Sequence, residues 1–520
     1  MVAIASAFSF VGKMLWEVWG EPFLGAIGAY EPEDRTYGRW KVPFSPMEQR
    51  LHENLDIAIS FHKAMMPNGK DWVWYQIWED KQAQSITGRK ADMIFVHGTG
   101  VHSGTLASHS RRYLDAGFRL IVPDLPSHGY SSGLHVYVRH LSGYLAGLRQ
   151  VLHDVAKRDD SMWNGGIKVS KAERRPTFML GLSFGGLLSL AYGIQYPGSF
   201  RQDTSDPDEI PIDGLIGVGP MIGYSSKNIR IPRIVEAMCR FSDRFLGAGR
   251  LEVFVPHKKC LDKDPNVYKT LVTQDKRSHH GAFRVGHLLC IDDGMNMIRK
   301  NAHKLKHPIY VQVGNLDRVA EPSQCVDWVR NTSSEDKKIT MYPVCQHVIY
   351  RKAKTEEEDR AGRVAVIEDN VQWMSERSPG YGRLARMCSF ASDISSFSCT
   401  SEGTLVDDFS NASTPSSVLS TPMTPTSEMG DSALSPGFFG SPIDADLGSP
   451  FAESLAKAFP AKQAAGPLTP LASPGFTDAG YYFRDHSGWL KAKDAEEKAY
   501  RPKWDLSSAL RPYDLPAWKV

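Results

Sequence analysis

The chain predicts an α/β fold, a mostly parallel central sheet with helices on both faces, and three observations carry that expectation. Short, nearly continuous apolar runs recur between residues 72 and 342. The intervals between them carry helical patterns, and strands buried on both faces of a parallel sheet read as unbroken rather than alternating apolar segments. One run ends in a Gly-x-Ser-x-Gly turn that opens onto a helical stretch. That turn sets a serine at the carboxyl edge of the sheet, where ligands bind in such folds.

The first twenty residues place Phe8, Val11, Leu15, Val18 and Trp19 on one face and Ser9, Lys13 and Glu17 on another, the spacing of an amphipathic helix. Such a helix packs on the domain or lies in a lipid headgroup layer. It is too short to span a bilayer and lacks the basic start of a signal peptide. It opens a lead-in over residues 1–70. The core domain, 71–377, begins with Trp72-Val73-Trp74-Tyr75-Gln76-Ile77-Trp78, β-branched and aromatic. Strand runs follow at Met93 to Val96, Leu120 to Val122, Thr177 to Leu180, Leu215 to Val218, Ile309 to Val313 and Ile339 to Tyr342. Between Met221 and His307 the alternation stops, which predicts a helical cap inserted over about 222–305. Its Ile231, Ile234, Val235, Met238, Phe241 and Phe245 suit an acyl-chain pocket or a helix-helix contact.

Beyond Arg377 the composition turns to Ser, Pro, Thr, Gly and acid, too poor in aliphatics to offset ordering entropy, so residues 378–478 read as a disordered tail. Beyond residue 400, eight Ser or Thr residues precede proline: Thr414, Thr421, Thr424, Ser435, Ser441, Ser449, Thr469 and Ser473. That density suits a proline-directed kinase as partner, which would make the tail more negative. Residues 479–520 regain aromatics and charge and read as a docking segment.

The net charge of the 520 residues is +2, which predicts no nucleic-acid partner. Residues 388–456 hold nine acids and no Lys, Arg or His, so the remainder carries +11. Seven cysteines without CxxC spacing argue against a disulfide framework and a zinc site, and point to a reducing, cytoplasmic compartment with no metal or cofactor.

The chemistry starts at Gly181-Leu182-Ser183-Phe184-Gly185-Gly186. A strand-to-helix turn of this composition strains its serine, and small residues two positions to either side let the backbone turn so tightly. A serine hydroxyl is a poor nucleophile without a base, and the base needs an orienting carboxylate. Asp317 follows the run Ile309 to Val313, and His347 follows the next run, in Cys345-Gln346-His347. Serine, acid and histidine in that order, each at a strand end, is the order of α/β-hydrolases. The oxyanion donors expected are the N–H of Phe184, at the helix start, and that of Thr99, in His97-Gly98-Thr99-Gly100, with His97 bracing the loop.

Together FVHGTGVHSG, PDLPSHGYSSG, LGLSFGG, VGNLDRV and CQHVI resemble the α/β-hydrolase branch of monoglyceride lipases and lysophospholipases, also called serine aminopeptidase-like, over residues 70–376. The resemblance implies an α/β-hydrolase fold with a cap before the acid strand, and cofactor-free hydrolysis of acylglycerol or related lipid esters. It also implies a substrate pocket around Gly98, Leu182, Val101 and Tyr350. Three departures from the branch involve four positions. Leu182 stands where a histidine is usual, Val101 and Thr105 replace an acid and an arginine, and Tyr350 replaces a histidine. They make the headgroup pocket less charged.

The function expected is a serine hydrolase of lipid-type carboxylic esters, monoacylglycerol or lysophospholipid-like, working at a peripheral membrane or lipid-droplet surface. An acyltransferase would use the same triad, and a non-catalytic lipid-binding or scaffold protein would keep only the fold. No acidic pocket for a substrate amine marks a peptidase, and serine at 183 argues against epoxide hydrolase chemistry.

Overall fold

The computed structural model describes residues 11–224, 233–253, 262–263, 275–378 and 380. The expected tail and docking segment therefore lie outside the described residues, except for Ser378 and Gly380, as do Phe8, Ser9 and the cap position Ile231.

Eight strands form the central sheet: β1 (Ala58–Met65), β2 (Trp72–Glu79), β3 (Ala91–Val96), β4 (Phe118–Pro123), β5 (Thr177–Leu182), β6 (Gly214–Val218), β9 (Ile309–Gly314) and β10 (Lys337–Tyr342). Two-residue strands β7 (Glu252–Val253) and β8 (Phe283–Arg284) pair with each other in the cap region. The spatial order is β1-β2-β4-β3-β5-β6-β9-β10. β1 and β2 run antiparallel at one edge, and all pairings from β4 onward are parallel.

Successive side chains of a strand point to opposite faces, and both faces here are covered. Met93 and Phe95 of β3 join one buried cluster while Ile94 and Val96 join the other. Leu120 and Val122 of β4 divide from Ile121 in the same way, which is why these strands read as unbroken apolar runs. One layer holds α1 (Leu141–Trp163), α2 (Phe184–Gln195), α4 (Val285–Lys300) and α5 (Pro322–Arg330); the other holds α6 (Ala365–Arg377). α1 faces the sheet with Tyr144, Leu145, Leu148, Val151, Leu152 and Val155, spaced at one helical stripe.

The sheet begins earlier than expected, because β1 lies inside the predicted lead-in. As the edge strand it is only partly covered, and its Ser60, His62 and Lys63 interrupt the apolar pattern. Lys63 Nζ instead sits over the rings of Trp40 and Trp72, at 4.7 and 4.3 Å from their centroids.

Residues 11–26 are helical, with a wide π turn at Trp16–Gly20 followed by the helix Glu21–Ala26. The cap helix α3 (Arg233–Leu246) turns Val235 and Cys239 toward the core. Ile234, Met238, Phe241 and Phe245, expected in a pocket or a helix contact, are exposed. No helix among the described residues is long and apolar enough to cross a membrane.

Candidate active site

Ser183 sits between β5 and α2 at φ 54°, a left-handed conformation that costs a non-glycine residue energy. The turn is held by Ser183 N–H donating to Val218 O (2.9 Å) and by Leu187 and Met221 N–H donating to Ser183 O (3.1 and 3.2 Å). The flanking glycines are sterically required. A Cβ on Gly181 would lie 2.1 Å from Gly185 O, and one on Gly185 would lie 2.0 Å from Val96 O.

Ser183 Oγ is 2.7 Å from His347 Nε2, and His347 Nδ1 is 2.8 Å from Asp317 Oδ2. Asp317 Oδ1 accepts from Val319 and Ala320 N–H at 2.8 and 3.0 Å, which locks the carboxylate in its loop. The loops after β9 and β10 are joined by Leu316 N–H donating to Cys345 O (3.0 Å). The three residues expected to act together are thus brought together, with Asp317 and His347 nearly sealed from solvent.

The loop after β3 lies against this group. A Cβ on Gly98 would be 3.6 Å from Ser183 Cβ, so the loop backbone runs beside the serine. His97 is fully buried; its Nε2 accepts from Leu125 N–H (2.9 Å), so its Nδ1–H donates to Gly98 O (2.8 Å). Burial pushes its pKa down to about 4, which keeps it a neutral brace. Phe184 opens α2 and is buried edge-on against Tyr144 and His287, with centroids 5.1 Å away in both cases.

The expected pocket residues divide. Gly98 adjoins Ser183, Leu182 packs half-buried on the α6-side layer, and Val101 is half-buried beside the buried His102. Tyr350 is not brought to the serine. Its hydroxyl is 2.7 Å from the Tyr113 hydroxyl and accepts from Asn370 Nδ2 (3.0 Å), inside the core layer that contains Trp373. A tyrosine whose one polar atom is bonded twice in the core is a packing residue.

Three contacts onto this loop had no signature in the sequence. His102 Nε2 is 2.6 Å from Asp275 Oδ2, His279 N–H donates to Gly100 O (2.6 Å), and His287 Nε2 is 3.3 Å from Thr99 Oγ1. All come from residues 275–287, where the chain returns from the cap. On the base side, Lys263 N–H donates to Gln346 Oε1 (2.9 Å), and Gln346 Nε2 donates to Asp262 Oδ1 (3.1 Å), next to His347. Only the fold joins positions so far apart in the chain. Among the described residues no group of His, Cys, Asp and Glu could hold a metal ion. A cavity of about 540 Å³ lined by Arg89, Asp92, Arg174 and Thr177 lies at the opposite, amino end of β3 and β5 and contains none of these side chains.

An oriented serine, imidazole and carboxylate beside a loop of closely approaching backbone is an arrangement that can carry acyl transfer. A family model described as serine aminopeptidase, S33, matches residues 87–353, a span that contains all three. The chain belongs to this family. Within this serine aminopeptidase family of α/β-hydrolases it is similar to the monoacylglycerol lipase of Mycolicibacterium smegmatis, 22% identical over 305 residues, covering 58% of this chain and 91% of that protein. It is also similar to the human monoglyceride lipase, 22% identical over 303 residues, covering 57% of this chain and 86% of that protein. Among solved structures, a soluble variant of the Saccharomyces cerevisiae monoglyceride lipase with a substrate analog matches 62% of this chain and 95% of its own, at 18% identity and a TM-score of 0.48.

Proposed function

We propose that this protein is a carboxylic ester hydrolase acting on lipid-type esters through Ser183, His347 and Asp317. The observation that carries the reading is the strained Ser183 with its Oγ 2.7 Å from an imidazole whose far nitrogen is 2.8 Å from a buried carboxylate. Names of relatives that contain monoacylglycerol or monoglyceride lipase support the lipid class.

In this mechanism His347 Nε2 takes the Ser183 proton as Oγ attacks the ester carbonyl, and Asp317 holds the tautomer and stabilises the imidazolium. The oxyanion meets the N–H groups of Phe184 and Thr99. Collapse expels the alcohol, which receives the proton from His347. A water deprotonated by the same imidazole then attacks the acyl carbonyl, releasing the carboxylic acid and regenerating Ser183. With Leu182 and Val101 in place of charged groups, the surroundings of Gly98 and Ser183 suit an apolar acyl chain and a weakly polar headgroup, met at a membrane or lipid-droplet surface.

A fluorophosphonate probe labels the wild-type protein, and Ser183→Ala abolishes that labelling; labelling that persists sinks the assignment. Turnover of p-nitrophenyl esters of graded chain length, followed by product analysis on monoacylglycerol and lysophospholipid, identifies the acyl and headgroup preference.

A further inference from the structure

The amino end of the sheet, opposite Ser183, carries the cavity of about 540 Å³ that no catalytic side chain enters. It lies between the short helix Lys81–Thr87, the end of α1 and the starts of β3 and β5. Ile121, Leu152, Val155, Trp163 and Ile210 give it apolar walls. Binding sites combine such walls with a few placed polar groups, and the polar groups here are short of negative charge. Of the four acids on the wall, Asp92 and Asp159 each give both oxygens to Arg119, at 2.6–2.8 Å, and Asp160 lies 2.9 Å from Arg174. The fourth, Glu173, is exposed and accepts from the Ser170 hydroxyl.

The cations are less well matched. Lys81 and Lys90, both exposed, have no carboxylate partner among the described residues. The half-buried Arg89 donates to carbonyl oxygens, those of Ser378 (2.9 Å) and Ala116, and burial without an acid beside it lowers its pKa. Two further donors on the wall, Gln84 Nε2 and Arg175 Nη1, have no hydrogen-bond partner among the described residues, although Arg175 Nη1 stands 3.6 Å from Asp92. The same corner is where the chain leaves the domain. Ser378 O is the acceptor for Arg89, and a Cβ on Gly380 would lie 2.0 Å from Thr87 O. Beyond it, Asp407-Asp408 is the first adjacent pair of acids, set in Leu405-Val406-Asp407-Asp408-Phe409 within the stretch 388–456 that has no Lys, Arg or His.

We propose that this cavity is the docking site of the chain's own segment 405–409, with Phe409 in the apolar recess and Asp407 and Asp408 against Lys81, Arg89 and Lys90. Charge complementarity selects this segment over the Ser- and Pro-rich remainder, and its apolar residues select it over the isolated acids Asp393 and Glu402. Its reach is sufficient. A flexible chain of the 25 residues from Gly380 to Leu405 spans about 25–30 Å and holds its end at an effective concentration on the order of millimolar. A contact too weak to form between separate molecules is therefore populated within one chain. Because the cavity lies at the far end of the sheet from Ser183, docking stands or falls apart from the ester reading.

Amide hydrogen exchange on the full-length protein tests it. Even half occupancy slows exchange over residues 81–90 by about twofold relative to Asp407→Lys/Asp408→Lys/Phe409→Ser. Lys81→Glu/Lys90→Glu speeds exchange as that variant does, and combining it with Asp407→Lys/Asp408→Lys restores the slow rate, a rescue that a purely local effect of either change does not give. A carbodiimide, which condenses a neighbouring amine and carboxylate to an amide with loss of water, joins Lys81 or Lys90 to Asp407 or Asp408 within one wild-type chain. Ser183 takes the fluorophosphonate probe equally in every variant. Exchange that is the same in the wild type and the 407–409 variant overturns the proposal. So do crosslinks that form only between chains when unlabelled and ¹⁵N-labelled protein are mixed, which assign the cavity to a second copy, and protection of residues 81–90 that appears only with added inorganic phosphate, which assigns it to a separate anionic ligand.

Discussion

Asp317 shows how one side chain decides the protonation state of another. Its Oδ1 is taken by the N–H groups of Val319 and Ala320, which leaves Oδ2 for His347 Nδ1. In Asp317→Asn the amide oxygen stays with those two backbone donors, and the NH₂ is left facing His347. Two donors cannot share a bond, so the imidazole adopts the other tautomer, with the proton on Nε2 where it must accept from Ser183. The expected result is a fall in kcat on the order of 10³–10⁴-fold with KM little changed. A loss under tenfold in steady-state kinetics contradicts the role. Gly185 makes the steric counterpart. Its Cβ position is 2.0 Å from Val96 O, a backbone atom of a central strand that cannot retreat. Gly185→Ala therefore displaces the elbow itself and costs about 3 kcal/mol or more, read as a lowered denaturation midpoint together with lost probe labelling.

At the scale of elements, the chain returning from the cap is tied to the loop that carries Thr99. Asp275 holds His102, the His279 N–H holds Gly100, and His287 approaches the Thr99 hydroxyl. Thr99→Val deletes that last contact alone, leaving His287 packed on Phe184 and bonded through Nδ1 to the Tyr144 hydroxyl (3.0 Å). If Thr99 N–H serves the oxyanion, kcat falls on the order of tenfold, less than for removal of a donor, while KM and thermal stability hold. Equal losses in stability and kcat would make the contact merely structural. None of this was legible in the sequence, because positions nearly two hundred residues apart share no spacing. The strands β2 to β6, β9 and β10 were legible for the opposite reason: burial on both faces demands apolar residues throughout. β1 was hidden because an edge strand tolerates His62 and Lys63. The helical periods at residues 11–19 and 234–245 were also readable, but not their sense, since periodicity marks an apolar stripe without saying which way it faces. Ser183, Asp317 and His347 stood out because the elbow and two strand ends are local patterns; Tyr350 misled because its place beside His347 in the chain says nothing of the core into which its ring turns.

Over the whole molecule, burial of neutral histidines ties stability to pH. Desolvation lowers His97 and His307 to about 4 and His109 and His287 to about 3; His97, His287 and His307 are fully sealed and His109 is half-buried. A histidine lowered on folding binds its proton more weakly in the native state than in the unfolded chain, where it titrates near 6.5. The unfolded state then takes up more protons, so stability is intact above about pH 6.5 and declines as pH falls toward the native values. For His97 the decline between pH 7 and pH 5 is about 2 kcal/mol, and each of the others is of similar size. Against a total of roughly 5–15 kcal/mol, a few such groups are decisive. His102 works the other way. Burial alone would lower it, but the hydrogen bond and charge of Asp275 outweigh that and raise it, so its contribution is present in acid and fades as pH rises through its raised value. One raised group does not offset four lowered ones. The melting temperature is therefore expected to fall steeply from pH 7 to pH 5, with net proton uptake on unfolding. His307 allows a test away from the serine, since its Nε2 bonds Ser199 Oγ at 2.9 Å at the amino end of β9. His307→Gln removes one titrating group, so the slope of stability against pH becomes shallower while probe labelling of Ser183 at pH 7 is kept. A melting temperature that is flat between pH 7 and pH 5, or a slope untouched by His307→Gln, would show that these imidazoles charge without loss of the fold.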